Sequence, residues 1–357
     1  MNNSVKLDVV VIGAGQAGLS IGYYLTQSNL SFVLLDQSSQ IGETWLNRYD
    51  SLILFSPRTY SSLPGYEFPG ESDGYPNKNE TAEYLKKYQQ KFSIPVELNT
   101  FVEQISKEND TFITSTNHFT YHSKIVVIAT GPFQTPFLPK LTGSGLDEQI
   151  IQLHSSKYKN PQQLKRGTTL IVGAGNSGAQ IAVELYNTHD VYISSNQDLK
   201  FSPHFIAGKS MFWWFEKLRI YDMFRTGTKV GEWIKKQPEP IMGTELKELV
   251  QQNKVKLTPR TKSTDGDKVT FEDGSSIKVA NIIWATGFTQ DFNWIKIDNV
   301  LNKQGNPLHN RGITQVSGLF FIGLPWLHKR PSALLGGVGE DAKFIVKYIN
   351  NHNIRNE

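Results

Sequence analysis

Two short glycine turns carry the spacing that can hold a dinucleotide. Gly13-Ala14-Gly15-Gln16-Ala17-Gly18 and Gly173-Ala174-Gly175-Asn176-Ser177-Gly178 both read G-x-G-x-x-G. In such a turn the first glycine permits a tight bend. The second lets the backbone approach a pyrophosphate, and the third lets a helix pack on a strand. The anion rests on the helix N-terminus, where unpaired N–H groups and the dipole favour negative charge. One match alone is weak evidence. Here each comes after an apolar run, Val9-Val10-Val11-Ile12 or Leu170-Ile171-Val172, and precedes a helix-periodic stretch ending near Leu25 or Tyr186. The β-branched runs read as buried parallel strands.

The strand after each turn sets the expected ribose contacts. In the first unit Phe32 to Leu35 ends in Asp36, 18 positions after Gly18. A carboxylate there suits the ribose hydroxyls, with Gln37 beside it. In the second unit the strand Val191 to Ile193 ends in Ser194-Ser195-Asn196. That triplet has no carboxylate to demand a free 2′-hydroxyl and no arginine to clasp a 2′-phosphate. NADH is therefore expected to serve at least as well as NADPH, with Lys200 within reach of a phosphate. Arginine at Ser194 or Asn196 is expected to shift preference toward NADPH.

These units form an internal repeat. Ile125-Val126-Val127-Ile128 runs into Ala129-Thr130-Gly131, and Ile282-Ile283-Trp284 runs into Ala285-Thr286-Gly287. Gly13 to Gly131 spans 118 positions and Gly173 to Gly287 spans 114. The apolar run from Gly318 to Gly323 lies outside both units and is assigned back to the first. The expected fold is α/β, with two Rossmann-like dinucleotide-binding domains and the second inserted in the first. The expected boundaries are 1–145 with 290–357, and 146–289 with an aromatic-rich insertion at about 200–240. Crossing linkers are expected near Pro132 to Pro139 and after Gly287.

Composition removes other classes. The 357 residues suit two domains, and 38% hydrophobic with 20% charged residues suits a normal soluble core. A net charge of +4 is too small to argue for nucleic acid. There is no cysteine, which excludes disulfides, thiolate metal sites and a redox-active dithiol. No metal-ligand spacing or Ser/His/Asp constellation stands out. Met1 to Asp8 lacks signal-peptide character, and no apolar run approaches the roughly 20 residues of a membrane span. The expectation is a cytoplasmic protein.

Taken together, Gly13 to Gly18, Gly42-Glu43-Thr44-Trp45, both Ala-Thr-Gly strands and Gly173 to Gly178 resemble the class B flavoprotein monooxygenases. That group includes flavin-containing monooxygenases, YUCCA-type enzymes and Baeyer–Villiger monooxygenases. The chain is most similar to a short bacterial branch of cation-resistance-associated flavoproteins. The resemblance runs nearly end to end, through Tyr49-Asp50-Ser51-Leu52, Leu63-Pro64-Gly65 and the tail from Gly323-Leu324-Pro325-Trp326 to Gly337-Val338-Gly339-Glu340-Asp341-Ala342. It implies FAD in the first domain, NADPH and/or NADH in the second, and oxygenation by a flavin C4a-(hydro)peroxide. Gly42, Thr44, Trp45, Leu52, Val102 and Gly323 join the glycine turns and the Ala-Thr-Gly turns as expected cofactor contacts. The family fingerprint, Phe-x-Gly-x-x-x-His-x-x-x-Trp/Tyr, is met by His154 and Tyr158, while Glu148 and Ile150 replace its Phe and Gly. The resemblance gives His154 a role in positioning the nicotinamide cofactor. Phe55 stands where flavin-containing monooxygenases carry an Asn near the flavin, so an apolar wall and some loss of hydrogen peroxide are expected.

The leading expectation is a monooxygenase acting with O2 on a small organic substrate by S-, N- or ketone oxidation. An NAD(P)H-dependent electron-transfer reductase, an uncoupled oxidase and a non-catalytic nucleotide-binding regulator are the alternatives. Disulfide reductases share the architecture but need a cysteine pair beside the flavin. The cluster Phe201, Phe205, Phe212-Trp213-Trp214-Phe215, Tyr221, Phe224 and Trp233 reads as local core, an entrance cap, a subunit contact in a homodimer, or shallow membrane contact.

Overall fold

A computed structural model describes residues 4–196 and 198–353. Both apolar runs ahead of the glycine turns are central strands of parallel sheets. Strand Ser4–Ile12 lies between Phe32–Leu35 and Thr120–Ile128, pairing in parallel with each. Strand Thr168–Val172 lies between Asp190–Ser194 and Asn281–Trp284 in the same manner. Residues with both faces covered must be apolar throughout, and Val9, Val10, Val11, Leu170 and Ile171 are fully buried.

The two sheets match strand for strand. Beyond Phe32–Leu35 the first adds Val96–Glu97, and beyond Asp190–Ser194 the second adds Val255–Thr258. Each fifth strand comes from outside its own repeat. In the first sheet Leu319–Phe321 pairs in parallel with Val126 to Ile128. In the second Ile151–His154 pairs in parallel with Asn281–Trp284. The chain thus leaves the first sheet, completes the second, and returns to close the first. The architecture is α/β with two Rossmann-like units, the second inserted in the first.

The first half of Thr120–Ile128 pairs instead with an antiparallel ribbon, Thr111–Thr116 and Val102–Glu108. Helices Gln16–Leu25 and Leu335–Asn353 pack on each other over the first sheet. One boundary differs from expectation. Strand Thr142–Leu146 straddles position 145 and pairs with Thr261–Gly266, so the chain has joined the second unit by Thr142. The crossing linkers pair with each other, Thr135–Pro136 running antiparallel to Phe288–Thr289.

A single excursion ties the units together. After the turn Glu43–Leu46 the chain runs from Asn47 to Ile53 across the second unit. Tyr49 is buried in the second unit's core, with Leu52 packed against it. The Tyr49 hydroxyl donates to Gln180 Oε1 at 3.1 Å, and the Gln180 amide donates to the Ile53 carbonyl at 2.9 Å. Asp50 N donates to Lys159 O at 2.7 Å, and Asn160 donates to the Asp50 carboxylate at 2.8 Å.

Lys78 holds this excursion from beneath. It begins helix Lys78–Lys91 behind a capping box of Asn77 and Glu80. Its buried ammonium donates to Asp50 Oδ1 at 2.6 Å, to Arg48 O at 2.8 Å and to Leu46 O at 3.3 Å. All three protons are used, which makes burial of the charge tolerable. Lys78→Met leaves two part-buried carbonyls without their donor and the Asp50 carboxylate with Asn160 alone. It is expected to cost about 2–4 kcal/mol in urea unfolding.

Candidate functional site

The two glycine turns have one geometry. Gly13 and Gly173 both sit at φ +105°, in the left-handed region. Gly13 N donates to Leu35 O at 2.8 Å, and Gly173 N to Ser194 O at 2.9 Å. Ala129 N donates to Ile12 O, and Ala285 N to Val172 O, both at 2.8 Å. A Cβ on Gly13 would strike the Ala129 carbonyl, and one on Gly173 the Ala285 carbonyl. A Cβ on Gly18 or Gly178 would overlap the carbonyl of Gly13 or Gly173. These four glycines are therefore required by packing.

Gly15 and Gly175 differ. Each is extended at φ −74°, and each faces open space, with nothing within 4 Å of a built Cβ. Each is also the N-cap of a ten-residue helix, Gln16–Leu25 or Asn176–Leu185, with no side-chain cap. Unpaired first-turn N–H groups beside a missing side chain make a cradle for a pyrophosphate, so the residues fit a dinucleotide in both units. Gly131 and Gly287, at positive φ, also face open space.

Around the first turn the expected residues converge. Asp36 accepts from Ala14 N at 2.6 Å and from Ser38 N at 2.8 Å. A carboxylate has room for further donors, so it can also accept from a ribose. Gln37 is exposed beside it. Gln16 reaches the Ala333 carbonyl at 3.3 Å, and Gly323 passes so close to Ala17 that a Cβ would meet its methyl at 2.7 Å. Glu43 was missed by sequence reasoning. Its carboxylate accepts from Ser39 N at 2.6 Å and Ser39 Oγ at 3.0 Å, and these bonds lower its pKa. Two carboxylates therefore flank the Ser38-Ser39 loop.

Other expected contacts have different surroundings. Gly42, at φ +83°, sits where a Cβ would strike the Ala82 backbone, so its need is close packing on helix Lys78–Lys91. Thr44 is exposed and Trp45 packs on the first core. Val102 is half-buried opposite Thr116 on the antiparallel ribbon. Phe55 stacks on Phe212 of the aromatic insertion at 6.4 Å, and Tyr60 stacks on the same ring at 5.8 Å. Tyr60 and Phe212 border a cavity of about 470 Å³ that is also lined by Phe215, Tyr221, Ser332 and Leu334 and by the charged Glu216, Arg219, Asp222 and Lys329. Ser332 and Leu334 flank Ala333, the partner of Gln16, so the cavity adjoins the first glycine turn.

In the second unit one expectation is corrected. Ser194 is buried, its hydroxyl donating to Pro259 O at 2.9 Å and accepting from Thr261 N at 2.9 Å. Its side chain points into the core and cannot meet a ribose. Ser195 and Asn196 do line an open groove of about 520 Å³, with Asp198, Lys200 and Pro238. Asp198 is a carboxylate the strand-end triplet did not reveal, and Lys200 lines the same groove with the opposite charge. Asn176 and Ser177 are engaged by the protein itself. Asn176 Oδ1 accepts from Met242 N at 2.8 Å, and Ser177 bonds the Tyr49 hydroxyl.

His154 is held by the protein on both ring nitrogens. Its Nε2 faces Gly287 O at 3.0 Å, and its Nδ1 accepts from Ser156 N at 3.2 Å. A carbonyl can only accept, so the proton sits on Nε2. Burial is the main cause that keeps the imidazole neutral, lowering its pKa. The Gly287 carbonyl also accepts from Phe137 N at 2.9 Å. His154 is therefore a positioning residue for the Ala285-Thr286-Gly287 turn and has no free nitrogen for a ligand. Gln134 does the corresponding work on the first unit. Its amide donates to Thr130 Oγ1 at 3.1 Å and Gly131 O at 3.0 Å, and accepts from Asp291 N at 2.8 Å.

Arg48 was also missed. Its guanidinium lies 5.0 Å from the Phe133 ring and 5.3 Å from the Phe288 ring, one on each crossing linker. No carboxylate pairs with it among the described residues, and burial lowers its pKa. Only its adjacency to Tyr49 in a conspicuous segment hinted at this role. No cluster of His, Cys, Asp or Glu able to hold a metal occurs among the described residues, and no helix there is long and apolar enough to cross a membrane.

Comparison with known proteins agrees with this geometry. Residues 10–203 match the family described as pyridine nucleotide-disulphide oxidoreductase. An uncharacterised CzcO-like oxidoreductase of Geobacillus kaustophilus is 51% identical over 346 residues, covering 97% of this chain and 99% of that protein. A probable indole-3-pyruvate monooxygenase, YUCCA3 of Arabidopsis thaliana, is 27% identical over 88% of this chain and 81% of its own length. The structure of a flavin-containing monooxygenase from Stenotrophomonas maltophilia superposes with a TM-score of 0.81 at 27% identity, over 98% of this chain and 99% of that one. With two matched glycine turns and no cysteine to supply a dithiol, the chain belongs to the pyridine nucleotide-disulphide oxidoreductase family as a flavin-dependent oxidoreductase of the flavin-monooxygenase and CzcO-like kind.

Proposed function

We propose that the protein oxidises NADH or NADPH with FAD and uses O2 to oxygenate a small soft nucleophile, such as a thioether or amine, or a ketone. The observation that carries this reading is the pair of matched cradles, Gly15 and Gly175, joined by one wall containing Arg48 and the His154-held turn. When bound, the flavin supplies hydride acceptance and oxygen activation. The first cradle would hold the flavin nucleotide, with Asp36 and Glu43 at its ribose. The second would hold the nicotinamide nucleotide, with Asn196 and Asp198 at its ribose. Arg48, cationic and without a carboxylate partner, supplies positive charge where an anionic cofactor crosses between units. Tyr60 and Phe212, with Phe55 stacked on Phe212, give one side of the neighbouring cavity an aromatic surface.

The related monooxygenases support oxygenation over simple electron transfer. The test is anaerobic reduction by NADH or NADPH, then mixing with aerated buffer in a stopped-flow spectrometer. A transient distinct from reduced and oxidised flavin, shortened by a thioether or ketone, is expected. Direct return to oxidised flavin, insensitive to such compounds, would favour the reductase or oxidase reading.

The glycines allow a sharper test. Gly175→Ala is expected to fold with an unchanged melting midpoint yet raise the nicotinamide KM at least about tenfold, since the methyl enters the cradle and touches no protein atom. Gly178→Ala is expected to lose about 1–3 kcal/mol of stability as well, because the methyl meets the Gly173 carbonyl.

Groove chemistry sets cofactor choice. Asn196→Arg combined with Asp198→Asn is expected to move the kcat/KM ratio toward NADPH by about 1–2 kcal/mol, roughly five- to thirtyfold. Equal ratios in wild type and variant would remove this groove from the ribose site.

His154 gives a pH dependence with a definite sign. Its folded pKa lies below the ordinary 6.5, so its contribution to stability is present above about pH 6.5 and falls as pH drops toward the folded pKa. The wild type is expected to lose more stability than His154→Gln as pH falls below about 6.5, read from urea midpoints.

A further inference from the structure

The aromatic insertion has two faces, and only one has been assigned. Its inner face buries Met211 and Phe212 and lines the cavity. Its outer face leaves Leu218, Met223, Val230 and Trp233 exposed, Trp233 by 62%. Val230 and Trp233 are three apart on helix Lys229–Lys235 and so share its outward side. Met223 adjoins that helix, since its carbonyl accepts from Thr228, the helix N-cap, at 3.3 Å. Nearby, the hairpin Phe205–Ile206 with Lys209–Ser210 exposes Phe205 and Ile206 beside its turn.

Charge on this segment is one-sided. Residues 205–236 hold seven Lys and Arg against three Asp and Glu, which equals the +4 of the whole chain. Arg219 and Arg225 are both paired with Asp222. Lys209, Lys217, Lys229, Lys235 and Lys236 form no ion pair among the described residues. The insertion therefore exposes large apolar side chains interleaved in sequence with ammonium groups that no carboxylate neutralises.

We infer that this outer face docks the protein reversibly on an anionic lipid surface. Aliphatic and indole side chains gain by entering the boundary between headgroups and acyl chains, and free lysines gain from the negative surface potential. A second copy of the chain fits poorly, because two faces of the same excess charge would repel. Nucleic acid would satisfy the lysines but leave Leu218, Met223 and Val230 in water.

The test is flotation of the purified holoprotein with vesicles of phosphatidylcholine containing 30% phosphatidylglycerol (about three lipids in ten), against vesicles of phosphatidylcholine alone, with tryptophan emission recorded. The expected result is flotation with the anionic vesicles and a blue shift. Met223→Ser with Trp233→Ser should lower vesicle affinity at least about tenfold while NAD(P)H oxidation in solution is unchanged. Lys229→Gln with Lys235→Gln and Lys236→Gln should abolish the preference for anionic lipid. Equal flotation with both vesicle types, an unshifted emission, or full binding by the Met223/Trp233 variant would overturn the inference. Concentration-dependent dimerisation lost in that variant, without vesicle binding, would assign the face to a second copy instead. Retention on RNA without vesicle binding would assign it to nucleic acid.

Discussion

Everything the two cradles can do together depends on a buried ammonium ion. Lys78 places its charge under the excursion Asn47 to Ile53 and spends all three protons on Asp50, Arg48 O and Leu46 O. Fixing those carbonyls aims Tyr49 into the second unit and Arg48 toward the crossing linkers. Each cradle could form on its own sheet, but hydride transfer needs the two held at one distance and angle. A buried cation with one carboxylate and two carbonyl partners is costly to misplace, which makes the arrangement specific as well as stable.

The same logic recurs at the crossing itself. A chain that leaves a domain and returns needs two linkers, and independent linkers would let the units rotate. Here Thr135–Pro136 pairs with Phe288–Thr289, Gln134 bonds the Asp291 amide, and His154 and Phe137 N share the Gly287 carbonyl. Arg48 lies over Phe133 and Phe288, one ring from each linker. A cation–π contact holds the guanidinium in place without neutralising it, so its charge remains available to an anionic ligand. A carboxylate partner would have held it as firmly and cancelled that charge.

Duplication explains why both cradles are alike to within a tenth of an ångström in their paired hydrogen bonds. The requirement is steric. The first glycine must bend beneath the Ala-Thr-Gly strand, and the third must let the helix touch the first turn's carbonyl. Neither tolerates a Cβ, so the turn has little room to vary. Around these shared parts the units diverge. Asp36 and Glu43 serve the first, while Asn196, Asp198 and Lys200 line the second.

The amino-acid sequence alone determined the parts governed by local rules. Buried parallel strands must be apolar on both faces, so Val9 to Ile12 and Leu170 to Val172 were legible. The glycine turns were legible because only glycine meets their backbone and packing demands, and the lack of cysteine settled a question of chemistry outright. Tertiary structure decided what depends on which distant groups meet. Ser194 looked available at a strand end, yet its hydroxyl serves Pro259 and Thr261, sixty-odd positions away in the chain. His154 was legible as a positioning residue, and the fold supplied its partners, Gly287 and Ser156. Phe55 faces Phe212 of the insertion, and Asp198 joins Ser195 and Asn196 in the groove past the strand end. Nothing in the sequence marked Arg48 or Lys78, because charge type says nothing about burial. Burial is a property of the neighbours that long-range folding brings, and for these residues the neighbours come from the other unit or from another turn of the first.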